Sequence, residues 1–286
     1  MPLTTTGELI TRARAARSAV AAFNIITLEH VEGVVAGAER AGVPVVLQVS
    51  ENAVRFHRGS LFPLARAAVA AAERAAVPVA LHLDHVRTDR LLRQAADAGF
   101  GSVMYDASHL PYDENLAATR AAVDRAHAQG LWIEAELGEM DGKDGGAPRD
   151  AHAPGARTDP AEASSFVTHS GVDALAVAVG SVHAMTTRTA TLDHALLGRL
   201  TAVLEVPLVL HGSSGVPDEE LRAAVAGGIA KVNIGTALNQ ALTGTLRTYL
   251  GAHPDAVDPR PYLDEGREAM ARTVERIVTA VGLTPA

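Results

Sequence analysis

The sequence contains no cysteine and only two lysines among its 286 residues. Without cysteine, disulfide bridges, thiolate nucleophiles and cysteine-based zinc or iron–sulfur sites are excluded, so a metal would need histidine and carboxylate ligands. An excess of positive charge is also lacking, because the formal net charge is −8, and we expect no nucleic-acid partner. No apolar run approaches the ~18 residues of a membrane span and no signal-peptide core is visible, which predicts a cytoplasmic protein with no membrane partner.

Short apolar runs alternate with helical stretches along the whole chain. These runs are rich in Val, Ile, Leu and Ala, and there are eight of them, at residues 19–25, 43–49, 79–83, 102–105, 131–137, 174–179, 207–210 and 229–234. Strands that are apolar on both faces and alternate with helices are typical of a parallel sheet covered on both sides. We therefore predict an α/β fold, a single (β/α)₈ TIM-barrel domain over residues 1–286. An extra C-terminal helix over residues 262–281 is expected to pack on the barrel or on a second subunit.

One long segment, residues 138–160, is dense in Gly, Asp, Pro and Ala and follows the fifth predicted strand. Loops of that length within a compact domain are usually lids or binding loops. We predict such a role for this segment.

Potential metal ligands follow several of the predicted strands. Barrel enzymes carry their chemistry at the C-terminal ends of the strands, where this chain has Asp84, His85, Asp106, Glu136, His183 and His211. Three neutral imidazoles and an open position are typical of a catalytic zinc site. Each histidine alone would more often be a hydrogen-bonded structural residue, but their common place on one rim favours a metal site. His82 is expected to be buried behind the ligands.

The segments after strands seven and eight combine glycine with hydroxyl side chains. They comprise Gly212, Ser213, Ser214 and Gly215, and then Asn233, Ile234, Gly235 and Thr236. Barrels often hold a phosphate at this place, through backbone N–H groups at helix N-termini. The glycines alone are also explained by tight turns, whereas the hydroxyl groups favour phosphate binding.

The chain resembles the class II zinc-dependent ketose-bisphosphate aldolases, which include fructose- and tagatose-bisphosphate aldolases. The motifs that carry this resemblance extend over nearly the whole chain and include Phe23-Asn24, Val49-Ser50-Glu51, Leu81-His82-Leu83-Asp84-His85, Glu134-Ala135-Glu136-Leu137-Gly138, Gly180-Ser181-Val182-His183, Leu210-His211-Gly212, Lys231-Val232-Asn233 and Asp258-Pro259-Arg260. The resemblance implies reversible cleavage of a phosphorylated ketose, of the fructose 1,6-bisphosphate or tagatose 1,6-bisphosphate type, to dihydroxyacetone phosphate and an aldehyde through a metal-stabilised enediolate.

The resemblance also implies roles for individual residues. Zn²⁺ would bind to His85, His183 and His211, while Asp106 and Glu136 match carboxylates of an alternative or second site for a divalent or monovalent cation. Asp84 would be the acid/base on the C4 oxygen, and Asp144 stands where the family has a loop glutamate that moves the C3 proton. The residues that match the substrate site are Ser50, Ala184, Gly212, Ser213, Asn233, Ile234, Gly235, Thr236 and Arg260. The resemblance places Arg260 at the far phosphate, from a neighbouring subunit of a homodimer or homotetramer.

Ala184 departs from the family, which usually has glycine there. Its Cβ would alter the phosphate pocket if the backbone must approach the anion closely. If the backbone angle φ is negative at this position, alanine would fit without strain and carry no information on specificity.

Three other functions remain open at this point. A barrel sugar-phosphate isomerase or epimerase would also handle an enediolate with a metal and carboxylates. A catalytically silent relative could serve as a regulatory or assembly subunit. A Schiff-base aldolase would need a buried lysine, for which Lys231 is available, but this leaves the histidines unexplained.

Overall fold

The structure is a computed structural model that describes residues 3–138 and 157–282. Within these ranges, parallel strands form a closed barrel in which β8 pairs with β1. The strands are β1 (Val20–Asn24), β2 (Val45–Ser50), β3 (Val79–Val86), β4 (Ser102–Tyr105), β5 (Trp132–Leu137), β6 (Ala174–Val177), β7 (Leu208–Leu210) and β8 (Ile229–Ile234). The predicted TIM barrel is confirmed.

Helices connect successive strands on the outside of the barrel, as parallel pairing requires. The helices in the described part of the chain are α1 (Thr6–Ala15), α2 (Leu28–Ala41), α3 (Glu51–Phe56), α4 (Phe62–Arg74), α5 (Asp89–Ala98), α6 (Tyr112–His127), α7 (Pro160–Ser170), α8 (His194–Val203), α9 (Asp218–Ala226), α10 (Thr236–Ala252) and α11 (Arg260–Val281), of which α2 to α9 lie between strands. A single 3-10 turn covers Ser213–Gly215. Helices α1 and α3 were not predicted from the sequence.

Alternate side chains of each strand enter two different layers. In β1, Phe23 belongs to the large core between strands and helices, whereas Ala22 belongs to a smaller core inside the barrel. The residues that pair with Ala22 on the next strands also face the inside of the barrel, because Ala22 pairs with Val46 and Val46 pairs with Ala80. Counting by twos from Ala80 brings Asp84 to the inside near the end of β3.

Helix α1 covers the end of the barrel at which the strands begin. A capping box starts the helix, since the Thr5 hydroxyl accepts from the Glu8 N–H and the Glu8 carboxylate accepts from the Thr5 N–H. The buried side chains Leu9 and Ile10 pack with Val20, the first residue of β1. Water is thereby kept away from the interior at this end. The C-terminal ends of the strands, at the opposite end of the barrel, are not covered by α1.

The C-terminal helix α11 packs on the barrel of its own chain, against α2, α9 and α10. Gly37 of α2 lies so close to α11 that a Cβ built there would be 2.7 Å from the Cβ of Val274. The end of α11 also reaches β1, because the Ala19 N–H donates to the Val281 carbonyl over 3.4 Å. Of the two predicted positions for this helix, the structure therefore shows the one on the barrel.

Only the ends of the predicted lid, residues 138–160, belong to the described part of the chain. Thr158 binds the C-terminal end of this segment to the barrel, because its hydroxyl donates to the Leu137 carbonyl over 2.6 Å and accepts from the Ala178 N–H over 2.8 Å. The middle of the predicted lid, including Asp144, lies outside the described residues.

No helix among residues 3–138 and 157–282 is long and apolar enough to cross a membrane.

Candidate active site

A cavity of about 530 Å³ opens at the C-terminal ends of the strands. This is the size of a small-molecule site. Its lining includes side chains from β1, β2, β3 and β8 and from the loops after β6 and β7, among them Asn24, Ser50, Asp84, His85, His183 and Asn233. The barrel therefore gathers at one rim residues that are far apart in sequence.

Three predicted metal ligands and one predicted carboxylate come together at this rim. His85, His183, His211 and Glu136 each offer a ligand atom, and these atoms all lie within 4.8 Å of one another. The imidazole ring centroids are 5.0 to 5.7 Å apart. Imidazole and carboxylate donors in such a group fit a divalent transition metal such as Zn²⁺. The four residues could thus hold one metal ion.

His85 reaches the group because the backbone is irregular at the end of β3. It has a left-handed conformation with φ of 50°, and the register between β3 and β4 shifts between Leu83 and Val86. In a regular strand, Asp84 and His85 would point to opposite faces. The irregularity lets both neighbours line the same cavity.

Asp106 lies behind His85 and is not in the group of four. Its Oδ2 is 2.9 Å from Nδ1 of His85, and its Oδ1 accepts from the N–H and the hydroxyl of Ser108 at 3.2 and 2.7 Å. A carboxylate on the far nitrogen of a ligating histidine orients the ring. The structure thus puts Asp106 where it can orient His85, and the expected second cation site at Asp106 stays a prediction.

Asp84 is held from one side by a chain of amides. The Gln48 side chain donates to Asn24 Oδ1 over 2.8 Å, and the Asn24 amide donates to Asp84 Oδ2 over 2.8 Å. The second oxygen, Oδ1, has no hydrogen-bond partner within the described ranges of the chain. Because Asp84 also lines the cavity, this oxygen is available for a substrate group.

The charge state of Asp84 depends on its neighbours. Burial alone would raise the pKa of this carboxyl, but the electrostatic influence of His85, His211 and Lys231 lowers it more, and the hydrogen bond from Asn24 adds to their effect. The net result is a pKa below the ordinary value. Asp84 is therefore ionised near neutral pH and able to accept a proton.

His82 and Lys231 are buried behind this rim. Burial, helped by the charge of Lys231, holds the pKa of His82 well below its usual range, so the ring is neutral. Lys231 is fully buried and donates to Glu134 over 2.8 Å. It does not line the cavity. The geometry thus gives a Schiff-base reaction at Lys231 no support.

Most of the predicted substrate residues line the cavity, namely Ser50, Ala184, Gly212, Asn233, Gly235 and Thr236. The remaining predicted residues are placed elsewhere. Ser213 turns its hydroxyl to the Leu210 carbonyl at 3.0 Å, Ile234 belongs to the large core, and the exposed Arg260 pairs with Asp258.

At Gly212, the loop after β7 passes very close to the backbone of the loop after β6. The φ of this glycine is 65°, and a Cβ there would lie 2.7 Å from the backbone of Val182. The tight turn alone therefore explains this glycine. Ser214, in the 3-10 turn that follows, lines the cavity and accepts from the Ala237 N–H over 3.1 Å in the first turn of α10. Phosphate binding near this helix N-terminus is supported by the cavity and the hydroxyl groups, and not by the glycine itself.

Several residues of the site were missed by the sequence-based interpretation. Asn24 and Gln48 are the inward residues near the ends of β1 and β2, two residues after the inward Ala22 and Val46, so alternation along the strands would have found them. Glu134 could have been found in the same way, two residues before Glu136. Arg87, which also lines the cavity, follows the irregular end of β3, where alternation gives no guide.

Ala184 has a positive φ of 59° and lines the cavity. The alternative of a negative φ is therefore wrong. A left-handed conformation costs a residue with a Cβ about 1–2 kcal/mol, while the extra freedom of glycine in the unfolded chain costs about 0.4–1 kcal/mol. We expect Ala184→Gly to raise the free energy of unfolding by roughly 0.8 kcal/mol, the difference between the midpoints of these two ranges.

Urea denaturation measures this change, and Ala117→Gly is a matched control. Ala117 is exposed in the middle of α6, where glycine lowers stability by about 1 kcal/mol. Loss of stability in both variants would contradict the left-handed backbone at Ala184.

The closed barrel, with a group of histidine and carboxylate side chains that can hold a metal beside a buried aspartate at its rim, is that of a metal-dependent α/β-barrel enzyme. The family model described as fructose-bisphosphate aldolase class-II matches residues 4–284. The chain belongs to this family, whose members are lyases, and the resemblance seen in the sequence is confirmed.

Individual relatives agree with the family match. A fructose-bisphosphate aldolase from Geobacillus stearothermophilus is 38% identical over 277 residues, covering 96% of this chain and 95% of the relative. One from Giardia intestinalis is 34% identical over 308 residues, covering 99% and 94%. The crystal structure of the YdjI aldolase from Escherichia coli K12 is similar with a TM-score of 0.84 and 32% identity, covering 98% of this chain and 97% of that one.

Proposed function

We propose that this chain is a zinc-dependent aldolase that reversibly cleaves a phosphorylated ketose, of the fructose 1,6-bisphosphate or tagatose 1,6-bisphosphate type, to dihydroxyacetone phosphate and an aldehyde. The observation that carries the proposal is that the group of His85, His183, His211 and Glu136 lies at the same rim as Asp84, a buried carboxylate with an unpartnered oxygen. A metal site and a proton acceptor side by side are what cleavage next to a carbonyl requires.

Cleavage between C3 and C4 needs a base at the C4 hydroxyl and stabilisation of the charge left on the other fragment. Asp84 accepts the C4 hydroxyl proton, with its carboxylate held in place by Asn24. His85, His183 and His211 would hold a divalent ion, which would supply Lewis-acid stabilisation of the negative charge left on the other fragment. Asn233 lines the cavity and orients the enediolate. Asp144, the expected group for the C3 proton, lies outside the described residues.

The phosphate of the dihydroxyacetone half binds at the end of the cavity formed by the loops after β7 and β8. Gly212, Gly235 and Thr236 line the cavity there, next to the N-terminus of α10. The positive end of the α10 macrodipole favours an anion there. This arrangement supports a substrate that carries a phosphate on C1.

The second phosphate is assigned to Arg260 of a neighbouring subunit. In its own chain, the Arg260 side chain is 87% exposed and is not part of the cavity lining. We therefore propose a homodimer or homotetramer in which α11 offers Arg260 to another subunit. A single cytoplasmic domain over residues 1–286 completes the proposal.

A product assay tests this function. Purified, zinc-loaded protein is incubated with fructose 1,6-bisphosphate, tagatose 1,6-bisphosphate and other ketose 1-phosphates, and release of dihydroxyacetone phosphate is measured. Cleavage of at least one substrate is expected. An isomerised or epimerised sugar without carbon–carbon cleavage would support the isomerase alternative, and no turnover of any substrate would support the silent relative.

A further inference from the structure

A buried ion pair inside the barrel contacts one of the metal-ligand candidates. Lys231 of β8 donates to Glu134 Oε2 over 2.8 Å, and His211 Nε2 lies 2.7 Å from Glu134 Oε1. All three side chains have no exposed surface. Each oxygen of Glu134 therefore has one hydrogen-bond partner, and the carboxylate from β5 is held by residues of two neighbouring strands, β8 and the end of β7.

The contact with Glu134 decides which nitrogen of His211 is available to a metal. A neutral imidazole carries its proton on one nitrogen and has a lone pair on the other. The carboxylate of Glu134 can only accept a hydrogen bond, so the contact favours the tautomer of His211 that carries its proton on Nε2. The lone pair of Nδ1 then points the other way, towards Glu136, whose Oε2 lies 3.4 Å from it.

The interior beneath this ion pair is also tied together by hydrogen bonds. The ring of His82 lies 4.0 Å from Glu134 and 2.8 Å from the Ser102 hydroxyl, which in turn lies 2.5 Å from the hydroxyl of Thr6 in α1. These groups fill the space below Glu134 and leave it little freedom to rotate. The orientation of His211 is thus set from the closed end of the barrel.

We propose that Glu134, held by Lys231, is a positioning residue for the metal site, which fixes the tautomer and the ring orientation of His211. The inference rests on the proposed function in one respect, namely that His211 is a metal ligand. Carboxylates behind ligating histidines typically improve metal affinity 10–100-fold. Neither Glu134 nor Lys231 touches the substrate in this proposal.

Two double variants separate the hydrogen bond from the ion pair. Glu134→Gln/Lys231→Met removes both charges but keeps an acceptor for His211, whereas Glu134→Leu/Lys231→Met removes the acceptor as well. Replacing both partners avoids leaving one charge buried alone. Zn²⁺ affinity is measured by competition with a chromophoric chelator, and the ligand geometry is followed by the visible spectrum of bound Co²⁺.

We expect the Gln variant to bind Zn²⁺ within about threefold of wild type and the Leu variant to bind about 10–100-fold more weakly, with a changed Co²⁺ spectrum. Equal affinities and spectra in the two variants would overturn the proposal. Wild-type protein that binds no Zn²⁺ would overturn it together with the proposed metal site. Metal binding that follows the expected order in a protein without aldolase turnover would support the positioning role and contradict only the proposed function.

A measurement on wild-type protein tests the tautomer of His211 even if the Leu variant fails to fold. Nitrogen-15 spectra of the histidine rings report which nitrogen carries the proton. A proton on Nε2 of His211 is expected both without metal and with Zn²⁺, and a proton on Nδ1 would contradict the proposal.

Discussion

Replacing Asp84 with alanine is expected to lower the rate of ketose cleavage by ~10²–10⁴-fold, the usual effect of losing a general acid–base group. The metal content should stay near that of wild type, because Asp84 is not among the four residues that form the metal-ligand group. Steady-state kinetics and metal analysis of the purified variant measure the two quantities together.

Two comparisons make this result specific. Dihydroxyacetone phosphate exchanges a proton with solvent at its hydroxymethyl carbon, which is C3 of the ketose. This exchange should survive better than cleavage in Asp84→Ala, since another group moves that proton. Asp89→Ala, at the exposed start of α5, removes a carboxylate that pairs with Arg125 on the surface and should leave the rate unchanged. Loss of metal from the Asp84 variant would show that Asp84 is a structural residue or a metal ligand.

Removal of the metal is expected to abolish cleavage, and Zn²⁺ or Co²⁺ should restore it. The Lewis acid contributes several kcal/mol of stabilisation to the developing charge, and His85, His183, His211 and Glu136 form the group that would hold it. Chelation, dialysis and titration with each ion, with the cleavage rate measured at each point, provide the test. Full activity after complete removal of metal would contradict the proposed chemistry.

Borohydride supplies the matching control for this experiment. It reduces a Schiff base to a stable adduct, so treatment in the presence of substrate should leave this protein unlabelled. The position of Lys231 explains why, since its amine is buried and engaged by Glu134. A covalent adduct on Lys231, identified by mass spectrometry, would revive the Schiff-base alternative.

The barrel could be predicted because its strands are short, apolar on both faces and separated by helices. The same features did not reveal α1, whose contribution is made by a few side chains such as Leu9 and Ile10 beneath the strands. Helix α3 is only six residues long and follows β2 directly, so it has too few turns to show a helical pattern.

The histidines of the site could be predicted from their place after the strands, but their detailed roles could not. Both Asp106 and Glu136 end strands, and only the three-dimensional arrangement puts Glu136 in the group of ligands and Asp106 behind His85. The positive φ of Ala184 depends on the loop after β6 and leaves no mark in the sequence. Strand position therefore identifies which residues meet, whereas local backbone conformation decides what each one contacts.

The packing of α11 on α2 has a consequence for synthesis of the protein. Helix α2 is translated early, but the helix that packs on its glycine-containing face, α11, consists of residues 260–281. On the ribosome this face stays uncovered until the distant segment has left the exit tunnel. Contacts between residues so far apart in sequence form slowly and expose apolar surface in the meantime. We therefore expect the nascent chain to bind chaperones and to complete its barrel only after translation of α11.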